Sequence, residues 1–406
     1  LLRNNRFMPV NIYKGENQAT ERVLGLNGNL LNNTNLWSKL STFNQRNKND
    51  FSDLKRFLKS LNKHSSLYSS DVENYVDKEW AKRGRKSILS TEGLEHQRIR
   101  RIVSPAFTPK SADRLRPFMN TVINELLDPI CEIGETEFVS NICEPYPIPI
   151  ICELLGAPKE DWELFSRLAE DIFKIFNGNL AEDAPVIMAA QDEMDAYMRS
   201  LIAKRKIHPQ EDLLTDLIRA EEDGDRLSTD ELLSMANALL LAGTDTTRNQ
   251  LACAVSLFAE HPVELQKIRD NSSLAPQAVE ETMRYLGAVR GTGRYASEDI
   301  EYRGILFPKD TLIFPSFVAA NHDSKKFDQP NEFNITREDK VPHLTFGSGI
   351  HFCLGAFLAR AELQEAFITI ANRMPGLKNA GQVKWKPTRT GIWGPKELPL
   401  TFDPGF

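Results

Sequence analysis

The chain has 406 residues, 41% of them hydrophobic and 26% charged, with a formal net charge of −6. That is the composition of a soluble protein with a large core, and its mild acidity argues against general nucleic-acid binding. No run approaches the ~18 consecutive apolar residues of a membrane span, and the first residues lack the apolar stretch of a signal peptide. The five cysteines, Cys131, Cys143, Cys152, Cys253 and Cys353, are odd in number and form no CxxC pair. They argue against a disulfide framework or a zinc site and for a reducing cytoplasm.

Residues 1 to about 90 carry little periodicity, although residues 53–61 predict a short amphipathic helix. At residues 95–103 the chain becomes helical and basic. His96 and Arg100 are four apart and share one face. Two cationic donors on one face suit two carboxylates; the alternative is a solvated basic face. Arg98 and Arg101 lie off that face and are surface candidates. Residues 115–130, 161–176 and 183–204 have helical spacing, the second ended by Asn177-Gly178-Asn179, and prolines at 147 and 149 break and restart the chain.

Residues 230–260 form a second strong element. Up to Leu241-Ala242 they are apolar on nearly every face, which predicts a buried central helix. Polarity then arrives abruptly as Gly243-Thr244-Asp245-Thr246-Thr247. A helical glycine costs about 1 kcal/mol relative to alanine, and a buried aspartate costs more unless partnered. Either the threonines bond back to the preceding turn and bend the helix, or the violations mark function. Further on, Glu281 and Arg284 are three apart and can pair on one helix face. Residues 290–296 leave that helix as an extended segment. Residues 299–315 alternate around turns at 303–304 and 308–310 and predict one small antiparallel sheet. Residues 319–333 are polar and irregular, and the tail, 385–402, alternates weakly around a hairpin at 390–394.

The most specific stretch is Phe346-Gly347-Ser348-Gly349-Ile350-His351-Phe352-Cys353-Leu354-Gly355. Its glycines suit a tight loop that turns sharply or approaches something flat. Its cysteine falls just before an apolar helical pattern, where N–H groups and the helix dipole favour a thiolate. A thiolate held out of a loop by such donors suits an iron site; a small buried hydrophobe is the alternative.

This loop resembles the haem-binding loop of cytochromes P450. The other motifs occur in the family's order: the basic helix before Ser104-Pro105, the Ala-Gly-x-Asp-Thr stretch at 242–246, and ExxR about seventy residues before the cysteine. The resemblance implies a mainly α fold with a small β region, residues 1–406 as one domain with a divergent part at 1–90. It implies haem b, with Cys353 as the iron ligand and Phe346 and Gly347 in the loop around it. His96, Arg100, Arg294 and His351 are implied propionate donors, Thr246 and Asp245 the proton delivery, and Glu281 and Arg284 a structural brace. Leu241, Ala242, Val289, Arg290, Thr292 and Ile392 are implied at the substrate. Arg290 is unusual there, and either anchors an anionic or polar substrate group or turns to solvent. The implied activity is a cytoplasmic monooxygenase that inserts one atom of O2 by hydroxylation or oxidative demethylation. Its electrons come from NAD(P)H through a separate ferredoxin and ferredoxin reductase, with Arg98 and Arg101 as a basic docking patch. The alternatives are a haem-thiolate peroxygenase or isomerase, and a non-enzymatic haem sensor.

Overall fold

The computed structural model describes residues 65–66, 87–174, 180–222, 227–302, 304–338, 341–387 and 392–405. The expected helix at 53–61, the stop at 177–179 and the tip of the 390–394 hairpin lie outside them. The helices are α1 (Gly93–Val103), α2 (Pro109–Cys131), α3 (Pro147–Leu155), α4 (Trp162–Phe173), α5 (Leu180–Ile207), α6 (Leu213–Glu222), α7 (Thr229–Glu260), α8 (Pro262–Asp270), α9 (Ala275–Tyr285), α10 (Phe317–Asn321) and α11 (Ala356–Arg373). The strands are β1 (Ser65–Ser66), β2 (Glu135–Glu137), β3 (Arg294–Ala296), β4 (Ile300–Tyr302), β5 (Ile305–Phe307), β6 (Leu312–Ile313), β7 (Lys378–Asn379), β8 (Lys384–Trp385), β9 (Pro395–Glu397) and β10 (Pro399–Thr401). The fold is mostly helical with small antiparallel sheets.

Local chemistry sets the helix ends. Proline stands in the first turn of α2, α3, α8 and α9, where its missing N–H costs nothing. Gly156 closes α3 at φ 77°, a left-handed cap that a side chain disfavours. Ser228 and Glu231 start α7 with a reciprocal capping box. Helix α7 then crosses the middle of the molecule, packed by α3, α4, α5, α9 and α11, while α2 lies along α11. Its C-terminal half is almost wholly buried from Thr247 to Phe258.

The segment expected to be one sheet divides in two. Strands β4 and β5 pair as a hairpin, but β6 leaves them and joins β3, which also pairs with β1. The turn at 308–310 redirects the chain: Asp310 takes φ 64°, and its N–H donates to Ala296 O at 2.7 Å. Strand β3 is thereby held on both edges, and it begins at Arg294. The tail supplies β10, between β2 and β7, and the β8–β9 pair.

Candidate functional site

The cysteine loop is built from backbone. Gly347 (φ 73°) and Gly349 (φ 84°) occupy left-handed conformations. Gly347 N–H donates to Leu344 O at 2.7 Å and Cys353 N–H to Phe346 O at 2.9 Å, closing the loop on itself. Phe346 lies under the Arg360 guanidinium, 4.5 Å from its ring centre. Arg360 and His343 in turn hold Glu280 of α9. Burial pushes the Glu280 carboxyl up, but His343 and Arg360 outweigh it and bring the pKa to about 2. Helix α11 starts at Ala356, and the Gly355 N–H donates to the Cys353 sulfur. Burial raises the Cys353 thiol, and the Gly355 donor and the Arg100 and Arg360 charges only partly offset it. A cation on the sulfur is what tips it to thiolate.

His96 and Arg100 share a face of α1 beside this loop. Arg100 donates to Ile350 O at 3.0 Å and Phe352 O at 2.5 Å, tying α1 to the loop. His96 is 1% exposed, its ring centre 4.5 Å from that of His351, and neither of its ring nitrogens has a partner. Burial first, then His351 and Arg100, lowers its pKa to about 4. His351 contacts Glu92 at 3.1 Å. An open cleft of about 360 Å³ runs along His96, Arg100, Arg101, Gly349 and Ile350. Arg294, 5% exposed, gives one nitrogen to Thr292 Oγ1 and Gly293 O, both at 2.7 Å, while its Nε is buried without a partner. Basic groups with orphaned N–H atoms near a glycine-cleared sulfur fit a group that is flat and carries two carboxylates.

On α7 the break in polarity is also a break in packing. Ala242 is exposed, and Leu241, Gly243 and Thr246 are partly open, whereas the residues that follow are buried. A Cβ on Gly243 would lie 2.8 Å from Ile151 Cγ1, so this glycine lets α3 approach. The Thr246 hydroxyl donates to Ala242 O at 2.8 Å, the back-bond that the sequence allowed. Asp245 is 3% exposed and partnered at one oxygen: Arg248 Nε at 2.5 Å, Asn249 Nδ2 at 3.1 Å and Lys386 Nζ at 3.9 Å all meet its Oδ1. Arg248 also reaches Glu144, at 3.9 Å. Burial lowers the Lys386 pKa against the pull of Asp245. The i,i+3 spacing of Asp245 and Arg248 was readable; the approach of Lys386, 141 positions away, was not.

Glu281 and Arg284 pair as expected, at 2.7 and 2.8 Å, both buried. Of the candidate substrate residues, Val289 and Ile392 meet in an antiparallel bridge. Arg290 does not turn freely to solvent. It is partly buried with its guanidinium 4.6 Å over the Trp393 ring. Trp393 was not singled out from sequence, nor was Trp385, which stacks on it at 4.5 Å. One expectation fails outright. Arg98 is ion-paired to Glu231 at the α7 capping box, so its charge is spent inside the molecule, and Arg101 alone of the two is exposed.

A mainly helical fold, a glycine-cleared cysteine loop and convergent basic groups define a haem-thiolate protein. Comparison with known proteins agrees. The cytochrome P450 family model matches residues 151–374. Cytochrome P450 CYP107DY1 of Priestia megaterium is 38% identical over 333 residues, 80% of either chain. The 6-deoxyerythronolide B hydroxylase of Saccharopolyspora erythraea is 35% identical over 340 residues, 83% of this chain and 81% of that one. The crystal structure of P450BioI in complex with hexadec-9Z-enoic acid ligated acyl carrier protein superposes with a TM-score of 0.80 at 31% identity, covering 87% of this chain and 91% of that one. The chain belongs to the cytochrome P450 family. It is a haem-thiolate monooxygenase acting on small organic substrates. Among the described residues, no helix is long and apolar enough to cross a membrane.

Proposed function

We propose that Cys353 is the iron ligand, that His96, Arg100, Arg294 and His351 receive the haem propionates, and that Asp245 and Thr246 deliver protons on the opposite face. The observation that carries this is the opening of α7 at Leu241, Ala242, Gly243 and Thr246, directly before its wholly buried run from Thr247 to Phe258. Bound haem supplies activation of O2, with the thiolate donating electron density. The chain's own residues then govern protons and water. Asp245 spends Oδ1 on Arg248, Asn249 and Lys386, so Oδ2 is the atom that passes a proton toward the groove. Thr246 fixes its hydroxyl on Ala242 O, and its oxygen keeps a lone pair to hold the proton at the open face. Apolar Leu241, Val289 and Ile392 exclude water around the substrate. The intact Asp–Thr pair favours this reading over a peroxygenase or isomerase, which can dispense with proton delivery.

With saturating electron supply, Thr246→Ala keeps consuming oxygen but yields roughly 100-fold less product per electron pair. Asp245→Asn slows turnover by a similar factor with a larger solvent isotope effect. Product-to-oxygen stoichiometry measures the first and turnover in H2O and D2O the second; wild-type coupling in Thr246→Ala, or wild-type turnover and isotope effect in Asp245→Asn, would refute that residue's assignment.

The electrons are assigned to NAD(P)H, through a ferredoxin reductase and an acidic ferredoxin docked over Arg101 beside the cysteine loop. Arg101→Glu should cut ferredoxin-driven turnover roughly 10-fold, most at low salt, and spare peroxide-driven turnover. Equal losses by both routes exclude docking at Arg101.

A further inference from the structure

Among the described residues, nearly every buried or partly buried arginine is ion-paired: Arg205 to Asp212, Arg248 to Asp245, Arg284 to Glu281 and Arg360 to Glu280 are examples. Three are not. Arg100 and Arg294 meet backbone carbonyls or a hydroxyl and are the proposed propionate donors. The third is Arg290. Its side chain meets no carboxylate; its contact is the face of Trp393. Burial disfavours its charge, and no carboxylate opposes that; only the Cys253 thiol, a weak acid, does so in part.

Position and support both point inward. Arg290 lies four residues before Arg294, between isolated bridges at Val289 and Gly291 on the segment that becomes β3. The next residue, Gly291, leaves no room for a Cβ against Phe314 and Pro315. Val289 bridges Ile392, which fixes the register of the two segments. Trp393 is pinned in turn: its N–H donates to Ala288 O at 2.9 Å, its Nε1–H to Lys386 O at 3.0 Å, and Trp385 stacks on it nearly parallel. A guanidinium held over the face of a fixed indole leaves N–H groups for a planar anion.

We propose that Arg290 is the anion anchor of the substrate site, and that the enzyme's substrates are organic acids whose carboxylate pairs with Arg290 while an apolar portion reaches the oxygen groove. This rests on the haem-thiolate site proposed above. Carboxylate and guanidinium meet edge to edge in two parallel N–H···O bonds, and the partly covered site strengthens them relative to water. An inorganic anion could occupy the same edge, so the test ties the carboxylate to the iron.

The probes are ω-(imidazol-1-yl)alkanoic acids of graded length and the matching alcohols, bound to the haem-loaded enzyme and followed by absorbance. At the length that spans iron to Arg290, the acid should bind roughly 10- to 100-fold tighter than the alcohol. Arg290→Gln should erase that preference and leave the alcohol within about 3-fold of wild type. Arg290→Lys should keep part of it, because an ammonium lacks the fork. Acid and alcohol within about 3-fold at every length, or a preference that survives Arg290→Gln, overturns the proposal. Equal weakening of acid and alcohol by Arg290→Gln also overturns it, because Arg290 then only braces Trp393. If the azoles fail to ligate the iron, or the carbon monoxide complex lacks thiolate character, the haem site itself is wrong, and that failure is visible before any acid is compared.

Discussion

Cys353→Ser should abolish the thiolate-type carbon monoxide spectrum and lower monooxygenase turnover by roughly 1000-fold or more, about 4 kcal/mol of barrier. The other four cysteines cannot substitute. All are buried, and burial pushes the Cys152 and Cys253 thiols to about 12. Cys353 alone combines a partly open residue, the Gly355 N–H and two guanidiniums, Arg100 and Arg360. The loop's shape does not depend on the sulfur: it rests on Gly347, Gly349 and the backbone bonds at Leu344 and Phe346. The variant should therefore fold, with circular dichroism and apo-protein melting close to wild type. A serine variant that retains a thiolate-type spectrum would exclude Cys353 as the ligand.

Arg284→Ala should cost about 3–5 kcal/mol of stability and abolish stable haem loading. Arg284 makes five hydrogen bonds: two to Glu281 and one each to the carbonyls of Asn321, Pro330 and Glu332. Removing it leaves a 4% exposed Glu281 with only Arg337, at 3.2 Å, as a charged partner. The three carbonyls lose their donor as well: Asn321 ends α10, and Pro330 and Glu332 lie in the irregular segment that leads from it to the cysteine loop. With total stability on the order of 5–15 kcal/mol, that loss is a large share. Lysine should not rescue, because a single ammonium cannot reach five acceptors. Chemical denaturation reads the stability and haem-to-protein ratio the loading. Wild-type values for both would show that the pair braces nothing.

The parts of the site that were legible in sequence are local. Asp245 and Thr246, Glu281 and Arg284, His96 and Arg100, and the cysteine loop each depend on spacings within one turn or one loop, where helix and turn geometry make contact nearly certain. The course of α7 followed from its apolar run, whereas the Ser228–Glu231 capping box that starts it was not read. What stayed hidden depends on chain segments meeting from afar. Arg98 finds Glu231 across 133 positions, and no periodicity reports that. Lys386 reaches Asp245 only because the β8–β9 segment packs on α7. Strand β6 looked like a third strand of its own hairpin, but a single left-handed residue, Asp310, sent it to β3. The N–H donor beside Cys353 was visible in sequence, whereas the burial that opposes it is a property of the assembled fold.

The near-contact of Gly243 with Ile151 has a consequence for how this enzyme can change. With a Cβ held to 2.8 Å of its neighbour, the wall behind the oxygen groove has no slack, and bulk added there must displace α3 rather than reshape the cavity. On the substrate site proposed above, variation in substrate size would then fall to Leu241, Ala242 and the Val289–Ile392 seam, which are partly or fully exposed. Evolution, or a laboratory library, can retune selectivity at those positions while the groove's back wall stays fixed.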